Sequence, residues 1–120
     1  MAITASYCKR NDAVELTKNT ADATFSIGLG DKPGEKVVIL VENNNTTAGC
    51  TATLEVLAGD YLANVYGTMS VDVANSSAAV IGPVETVRYK NTASEIDCAC
   101  AVTGSDATLT NVKIAVIKLP

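Results

Sequence analysis

The sequence predicts an all-β fold: a two-sheet antiparallel β-sandwich of jelly-roll or Ig-like type with about eight strands. Short segments in which apolar and polar residues alternate recur along the chain, as expected for half-buried strands. Turn-forming residues separate these segments at intervals of about 8 to 15 residues, and no stretch shows the apolar period of an amphipathic helix. The 120 residues predict one sandwich domain, residues 14–120, preceded by an N-terminal arm or edge strand, residues 1–13.

The segment Glu35–Asn43, with the sequence EKVVILVEN, is the strand around which the rest is organised. Val37, Ile39 and Val41 would point to one side of this strand, and the two apolar residues between them to the other. A strand that is apolar on both sides is expected to lie inside a sheet and to be covered on both sides. A buried helical turn is the alternative, but the Pro-Gly before the segment and the asparagines after it favour a strand.

The remaining segments predict the other strands in chain order. Val14–Leu16 predicts a short strand before a polar turn, and the asparagine-rich stretch after Val41 predicts a polar loop. Gly82-Pro83 predicts a bend or bulge, in a strand that changes sheet or runs along an edge, because proline cannot donate to a ladder. The longer alternating segments are Ala23–Leu29, Cys50–Leu57, Met69–Val73, Ala78–Lys90, Ile96–Val102 and Leu109–Leu119.

Composition excludes several classes of partner. The chain has 9 Lys and Arg against 13 Asp and Glu, a net charge of −4, whereas nucleic-acid binding needs clustered cations. No apolar run approaches the ~20 residues of a membrane-spanning helix. The first residues, MAITASYCKRND, lack the apolar core of a secretory signal, so we expect synthesis in the cytoplasm.

The sequence predicts neither an enzyme nor a cofactor-binding protein. Histidine, the most frequent general base, is absent, and the carboxylates are scattered singly in turns or on the outward phase of strands. The four cysteines predict reduced thiols that pack as small apolar side chains. A zinc site is rejected because the chain has no histidine and no C-x2-C pair. The cysteines are Cys8, Cys50, Cys98 and Cys100.

Two segments are candidates for contact with a partner. The sequence YLANVYG gathers tyrosine and aliphatic residues in a predicted loop, and tyrosine is enriched in interfaces. The alternative is that this loop closes one end of the sandwich. The N-terminal arm could add to the sheet edge of another molecule, or it could simply fray. The candidate residues are Ala2, Ile3, Tyr7, Lys9 and Arg10 in the arm and Tyr61, Leu62, Val65 and Tyr66 in the loop.

The order of the segments resembles that of a known class of proteins. The segments EKVVILVEN, TATLEVLAGD, MSVDVA, AAVIGPVETVRYKN and VKIAVIKLP follow one another over roughly residues 20–120. This order is similar to that of small all-β virion proteins of tailed bacteriophages, which are head decoration or minor structural proteins. The closest matches are Ala-Gly-Asp after a strand, Ile-Gly-Pro within one and the final Leu-Pro, whereas the cysteines lie outside the pattern.

The resemblance implies a structural protein that binds the major capsid protein on the outside of the shell. It also implies a homo-oligomer, with a trimer favoured, located on the virion surface, and no catalytic residues. The arm Ala2–Arg10 and the loop Tyr61–Tyr66 would supply the contacts. The alternative is a carbohydrate- or host-surface-binding module. With no tryptophan in the chain, its sugars could stack only on tyrosine rings, those of Tyr7, Tyr61, Tyr66 and Tyr89.

Overall fold

A computed structural model describes residues 2–30, 36–61 and 67–120 and confirms the predicted all-β sandwich. A one-turn helix, α1 (Thr86–Tyr89), and a 3-10 turn (Leu109–Asn111) interrupt the strands. The ten strands of the described segments are β1 (Ala2–Thr4), β2 (Ser6–Tyr7), β3 (Asn19–Thr20), β4 (Thr24–Gly28), β5 (Lys36–Asn43), β6 (Thr51–Val56), β7 (Met69–Ala74), β8 (Ser77–Glu85), β9 (Glu95–Thr103) and β10 (Val112–Leu119).

The strands form two sheets. The first sheet has the order β1-β4-β9-β6-β7, and the second has the order β2-β10-β5-β8, with β3 also paired to β10. Every pairing is antiparallel except those of the N-terminal segment, in which β1 runs parallel to β4 and β2 runs parallel to β10. Both sheets are therefore mixed, because this segment lies along one edge of each sheet in turn. The predicted strand at Val14–Leu16 is wrong, since the next pairing begins at Asn19.

The central strand of the second sheet is β5, as its composition predicted. It pairs along its whole length with β10 on one side and with β8 on the other. Val37, Ile39 and Val41 are completely buried against the first sheet. Val38 and Leu40 point the other way and are only half-buried, because the described strands form two sheets and no third sheet lies over that face. The expectation of cover on both sides is therefore correct for one side only.

The core lies between the two inner faces and consists mainly of aliphatic side chains. Full burial of one such side chain stabilises the fold by roughly 1.5–3 kcal/mol, so the fold depends on this layer. Phe25 is the single aromatic ring among the buried residues of the described chain. The largest fully buried side chains include Ile3, Ile27, Ile39, Leu54, Ile96 and Ile114.

The predicted bulge at Gly82-Pro83 is confirmed on an edge strand. Between the pairs Val37–Val84 and Ile39–Ile81, β8 contains one residue more than β5. Gly82 has a φ of 119°, and a Cβ at this position would lie 2.8 Å from the carbonyl oxygen of Val37. Glycine is therefore required at the bulge.

The asparagine-rich stretch after β5 is partly buried rather than a fully exposed loop. Asn43 donates to the carbonyl oxygen of Val73 at 3.0 Å, and Asn45 donates to Asn43 Oδ1 at 2.9 Å. Asn45 also exchanges two bonds with the backbone of Thr108, at 3.1 Å and 2.9 Å. These bonds join three loops at one end of the sandwich, so the buried amides have their hydrogen-bonding groups satisfied.

Candidate interaction site

The N-terminal arm is a pair of edge strands on its own sandwich. Ile3 is buried between the sheets, and Ala5 donates a backbone hydrogen bond to Gly28 at 3.0 Å. Of the predicted contact residues in this segment, Ala2, Lys9 and Arg10 are exposed. These three side chains are therefore the ones in the arm that a partner can reach without displacing the segment.

Tyr7 makes an intramolecular contact with a buried lysine. Its ring lies 5.8 Å from Lys118 Nζ, and the Lys118 side chain is 2% exposed. Lys118 also donates a hydrogen bond to the carbonyl oxygen of Leu29. Because an aromatic face stabilises a desolvated cation, Tyr7 helps to accommodate this charge inside the sandwich. The half-buried ring of Tyr7 thus has a structural role in addition to any contact with a partner.

The second predicted segment is described only at its first residue, Tyr61. The Tyr61 side chain is 55% exposed, and Lys90 Nζ lies 5.6 Å from its ring centroid. Leu62, Val65 and Tyr66 lie outside the described residues, as do residues 31–35, which include the Pro-Gly before β5. Exposed tyrosine beside a lysine forms a surface that combines apolar area, a hydrogen-bonding hydroxyl and positive charge.

The backbone fixes the position of Tyr61 relative to Lys90. Gly59 donates to the carbonyl oxygen of Arg88, and Asp60 donates to that of Lys90, both at 3.2 Å. A side chain at position 59 would collide with the backbone of Lys90, so glycine is needed for this close approach. Asp60 also accepts a bond from the backbone of Thr92 at 2.9 Å. The Ala-Gly-Asp turn thereby anchors Tyr61 to the segment after α1.

A groove of about 330 Å³ lies close to this anchored turn. It runs between the start of β7 and the bulge of β8, at the edge opposite the arm. Its walls are polar and apolar in about equal measure, and they include one carboxylate and one guanidinium, which form an ion pair of 3.1 Å between Glu85 and Arg88. The lining residues are Met69, Gly82, Pro83, Val84, Glu85, Arg88 and Tyr89. We call Tyr61, Lys90 and this groove the tyrosine edge.

The four thiols are free, and three of them are buried. Burial raises the pKa of the Cys98 thiol from 9.0 to about 12, and the neighbouring Asp97 and Cys100 act in the same direction. Burial also raises the pKa of Cys100, partly offset by a hydrogen bond from the backbone of Ala101. Cys98 and Cys100 are therefore neutral at physiological pH and pack as small apolar side chains.

The described residues contain neither a cluster of metal ligands nor a membrane-spanning helix. Within residues 2–30, 36–61 and 67–120, no three His, Cys, Asp or Glu side chains lie together in a way that could hold a metal ion. The same residues contain no helix with the length and apolar character needed to cross a membrane.

The outer face of the first sheet is polar and acidic. It carries serine, threonine and alanine together with Glu55, Asp72, Glu95 and Asp97, and none of its outward-facing strand residues is Lys or Arg. Thr53 donates to Asp72 at 2.6 Å, and Asn91 donates to Asp97 at 3.1 Å. We call this surface the acidic face.

The outer face of the second sheet is apolar in its centre. Leu40 lies between Val80 and Ala115, and Val38 lies beside Ile117 in the next row. Val80 is 68% exposed, whereas the small Ala115 is buried among its larger neighbours. We call the six residues Val38, Leu40, Val80, Ala115, Ile117 and Leu119 the apolar face.

No protein-family model, curated protein or solved structure matches this chain. The resemblance to virion proteins therefore remains a prediction, and the functional argument rests on the surfaces of the molecule. Sequence reasoning missed Lys90 and the groove, because both depend on how distant segments pair. It also missed the apolar face, although apolar residues in both phases of β5 and β10 were a usable signal.

Proposed function

We propose that this protein is a structural virion protein of a tailed bacteriophage that binds the outside of the capsid shell as a decoration or stabilising protein. The proposal is supported by the order of the strand segments. The structural observation that carries it is the tyrosine edge, where exposed Tyr61 and half-buried Lys90 stand close to an open groove of mixed polar and apolar lining. Such a surface suits contact with another protein.

The tyrosine edge is the surface on which we expect the capsid protein to dock. The Tyr61 ring offers a large contact area, and few rotatable bonds are lost when it is immobilised. The Pro83 and Met69 side chains supply apolar walls, while Glu85 and Arg88 supply charged groups at the rim. The predicted Leu62, Val65 and Tyr66 would extend the same contact.

Weak single contacts are sufficient for such a protein, because the shell presents many identical sites. An oligomeric decoration protein binds several of them, and each further contact forms at the high effective concentration created by the first. A protein that binds only the assembled shell stabilises it by mass action. The exposed Ala2, Lys9 and Arg10 on the opposite edge offer a second set of contacts to neighbouring subunits.

Co-sedimentation with shells of the phage that encodes the chain tests this proposal. We expect the protein to pellet with intact shells and to remain in the supernatant with dissociated capsid subunits. Tyr61→Ala should weaken binding by about tenfold or more, as expected for an exposed aromatic anchor. Glu55→Gln, on the acidic face, is the matched control and should bind like the unmodified protein. Absence of binding to intact shells would overturn the proposal.

A carbohydrate- or host-surface-binding module is the second candidate, and the same exposed ring favours it. Sugars stack on aromatic faces, and Tyr61 presents such a face close to a groove that contains Tyr89. Binding of the purified protein to defined glycans on an array, lost in Tyr61→Ala and retained in Tyr61→Phe, would support this function. Binding to intact shells in the absence of any glycan binding would exclude it.

A further inference from the structure

No third sheet of the described chain covers the apolar face, although β5 has the composition of a strand buried on both sides. On the inner side, Ile39 is fully buried, whereas on the outer side Val38 and Leu40 are half-buried and Val80 is 68% exposed. A contiguous apolar patch on a sheet marks a contact surface, because its exposure to water is unfavourable.

The apolar face has the area of a weak interface. Its three strands, spaced about 4.8 Å apart, and the eight residues of β5, at about 3.3 Å each, give roughly 380 Å² in projection. Side-chain relief raises the accessible area above this value, and a standard interface buries ~800 Å² per partner, so we expect a concentration-dependent pair.

We propose that a second copy of this chain covers the apolar face, with the two β5 strands antiparallel across a twofold axis. The charges at the two ends of β5 identify this occupant. Lys36 and Glu42 both point outward, one at each end of the apolar rows. An antiparallel twofold arrangement places Lys36 of each copy against Glu42 of the other, so two ion pairs form at once.

Neighbouring charges are compatible with this arrangement. Lys18 Nζ lies 2.9 Å from one carboxylate oxygen of Glu42, which leaves the other oxygen available. Lys113 donates to the hydroxyl of Thr20 at 2.7 Å. Glu85, beside Lys36, is paired with Arg88 within its own chain. The Lys36 and Glu42 side chains therefore carry opposite charges at the two ends of β5, with Lys113 beside Glu42 and Glu85 beside Lys36.

The sizes of the side chains also match under the same symmetry. Because the two β5 strands run antiparallel across the twofold axis, Val38 of one copy lies over Leu40 of the other. The same symmetry places Ile117 in β10 of one copy over the small Ala115 in β10 of the other, so that a large side chain meets a small one. This pairing allows the two sheets to approach to about 10 Å, the usual spacing of packed sheets.

The acidic face cannot provide the same contact. Its outward strand residues include four carboxylates and no cation, so two copies brought together there would repel each other. Tyr61 and Lys90 lie outside the apolar face, although the twofold axis brings Val80 of one copy over the Gly82-Pro83 bulge that lines the groove of the other. The two proposals are therefore tested by separate measurements, and either can fail while the other stands.

Sedimentation velocity over a wide concentration range tests the pairing. We expect a monomer–dimer equilibrium for the unmodified protein. Lys36→Glu and Glu42→Lys should each weaken the dimer by roughly tenfold or more, because the twofold axis turns both ion pairs into like-charge contacts. An equimolar mixture of these two variants should restore dimers. In the mixed dimer, the negative charge introduced at position 36 of one variant faces the positive charge introduced at position 42 of the other.

Two further variants keep the test independent of folding defects. Val80→Lys introduces a charge at a side chain that is 68% exposed, so it should retain the melting temperature and lose the dimer. Glu55→Lys, on the acidic face, should leave dimerisation unchanged. A protein that stays monomeric at every concentration would overturn the proposal. So would an oligomer that ignores the apolar-face variants, or variants whose mixture does not recover the dimer.

Discussion

The acidic face and the apolar face are built on the same kind of strand and differ only in the residues of the outward phase. In the first sheet the outward residues of β6 are Thr51, Thr53 and Glu55, whereas in the second sheet the central outward residues of β5 are Val38 and Leu40. Both sheets bury most of their inner phase, and β5 and β6 bury it completely. The comparison teaches that the inward phase specifies the sandwich, while the outward phase specifies which surface meets another molecule.

The two faces also differ in electrostatics, and this difference gives each a separate role. The acidic face carries uncompensated negative charge, which favours hydration and opposes association between copies. The apolar face has opposite charges only at its ends and aliphatic side chains between them. We therefore expect substitutions on the two faces to have different consequences even where local burial is similar.

The largest expected effect is the difference in stability between substitutions on the two sides of β5. Ile39→Ala should lower the free energy of unfolding by about 4 kcal/mol, because it leaves a cavity in a closed core. Leu40→Ala should cost only about 1 kcal/mol at concentrations where the protein is monomeric, because the outer side is half-exposed. Urea denaturation of both variants measures the difference. Equal costs would show that the outer side is as closely covered as the core.

An intermediate effect is the pH dependence of stability that we expect from Cys98, on the inner side of the first sheet. The pKa of Cys98 is raised from 9.0 to about 12 in the folded protein, mainly by burial and then by Asp97 on the acidic face. Above pH 9 the unfolded chain loses this proton while the folded chain keeps it. The stability contributed by the neutral thiol is therefore present below pH 9 and falls by about 1.4 kcal/mol per pH unit until about pH 12.

Denaturation curves at a series of alkaline pH values measure this slope, and Cys98→Ala is the control. The variant should be less stable at pH 8 because of the lost methylene-sized volume, yet its stability should fall less steeply above pH 9. A slope that is the same in both proteins would contradict the assigned burial of the thiol.

The smallest expected effect comes from reciprocal threonine and valine substitutions on the two outer faces. Thr53→Val on the acidic face and Val80→Thr on the apolar face exchange side chains of nearly equal shape. Each should change the monomer's free energy of unfolding by less than about 1 kcal/mol, because both positions are solvated. Only Val80→Thr should weaken self-association, and equal responses of the two variants in sedimentation would remove the distinction between the faces.

Much of the fold follows directly from local sequence patterns. Alternation located the long strands, the two-sided apolar composition of β5 placed it inside a sheet, and Gly82-Pro83 located the bulge. The parallel pairings of the N-terminal segment could not be predicted, because two or three residues carry too little pattern to specify a partner strand. The burial of Asn43 and Asn45 could not be predicted either, since it depends on carbonyl groups more than 25 residues away in the sequence.

The candidate surfaces were less predictable than the fold. Tyr61 was identified from its residue type, which is a property of one position. Its contact with Lys90 depends on two backbone hydrogen bonds between segments that lie about 30 residues apart in the sequence. The apolar face depends on the register of three strands, which alternation within one strand does not determine.

Hydroxyl-radical footprinting as a function of protein concentration tests the difference between the two faces most directly. If the apolar face is the surface that meets a second copy, oxidation of Leu40, Val80 and Ile117 should fall as the concentration rises, while Glu55 and Asp72 should keep a constant modification level. Protection of the acidic face, or constant oxidation on both faces across the whole concentration range, would contradict this account.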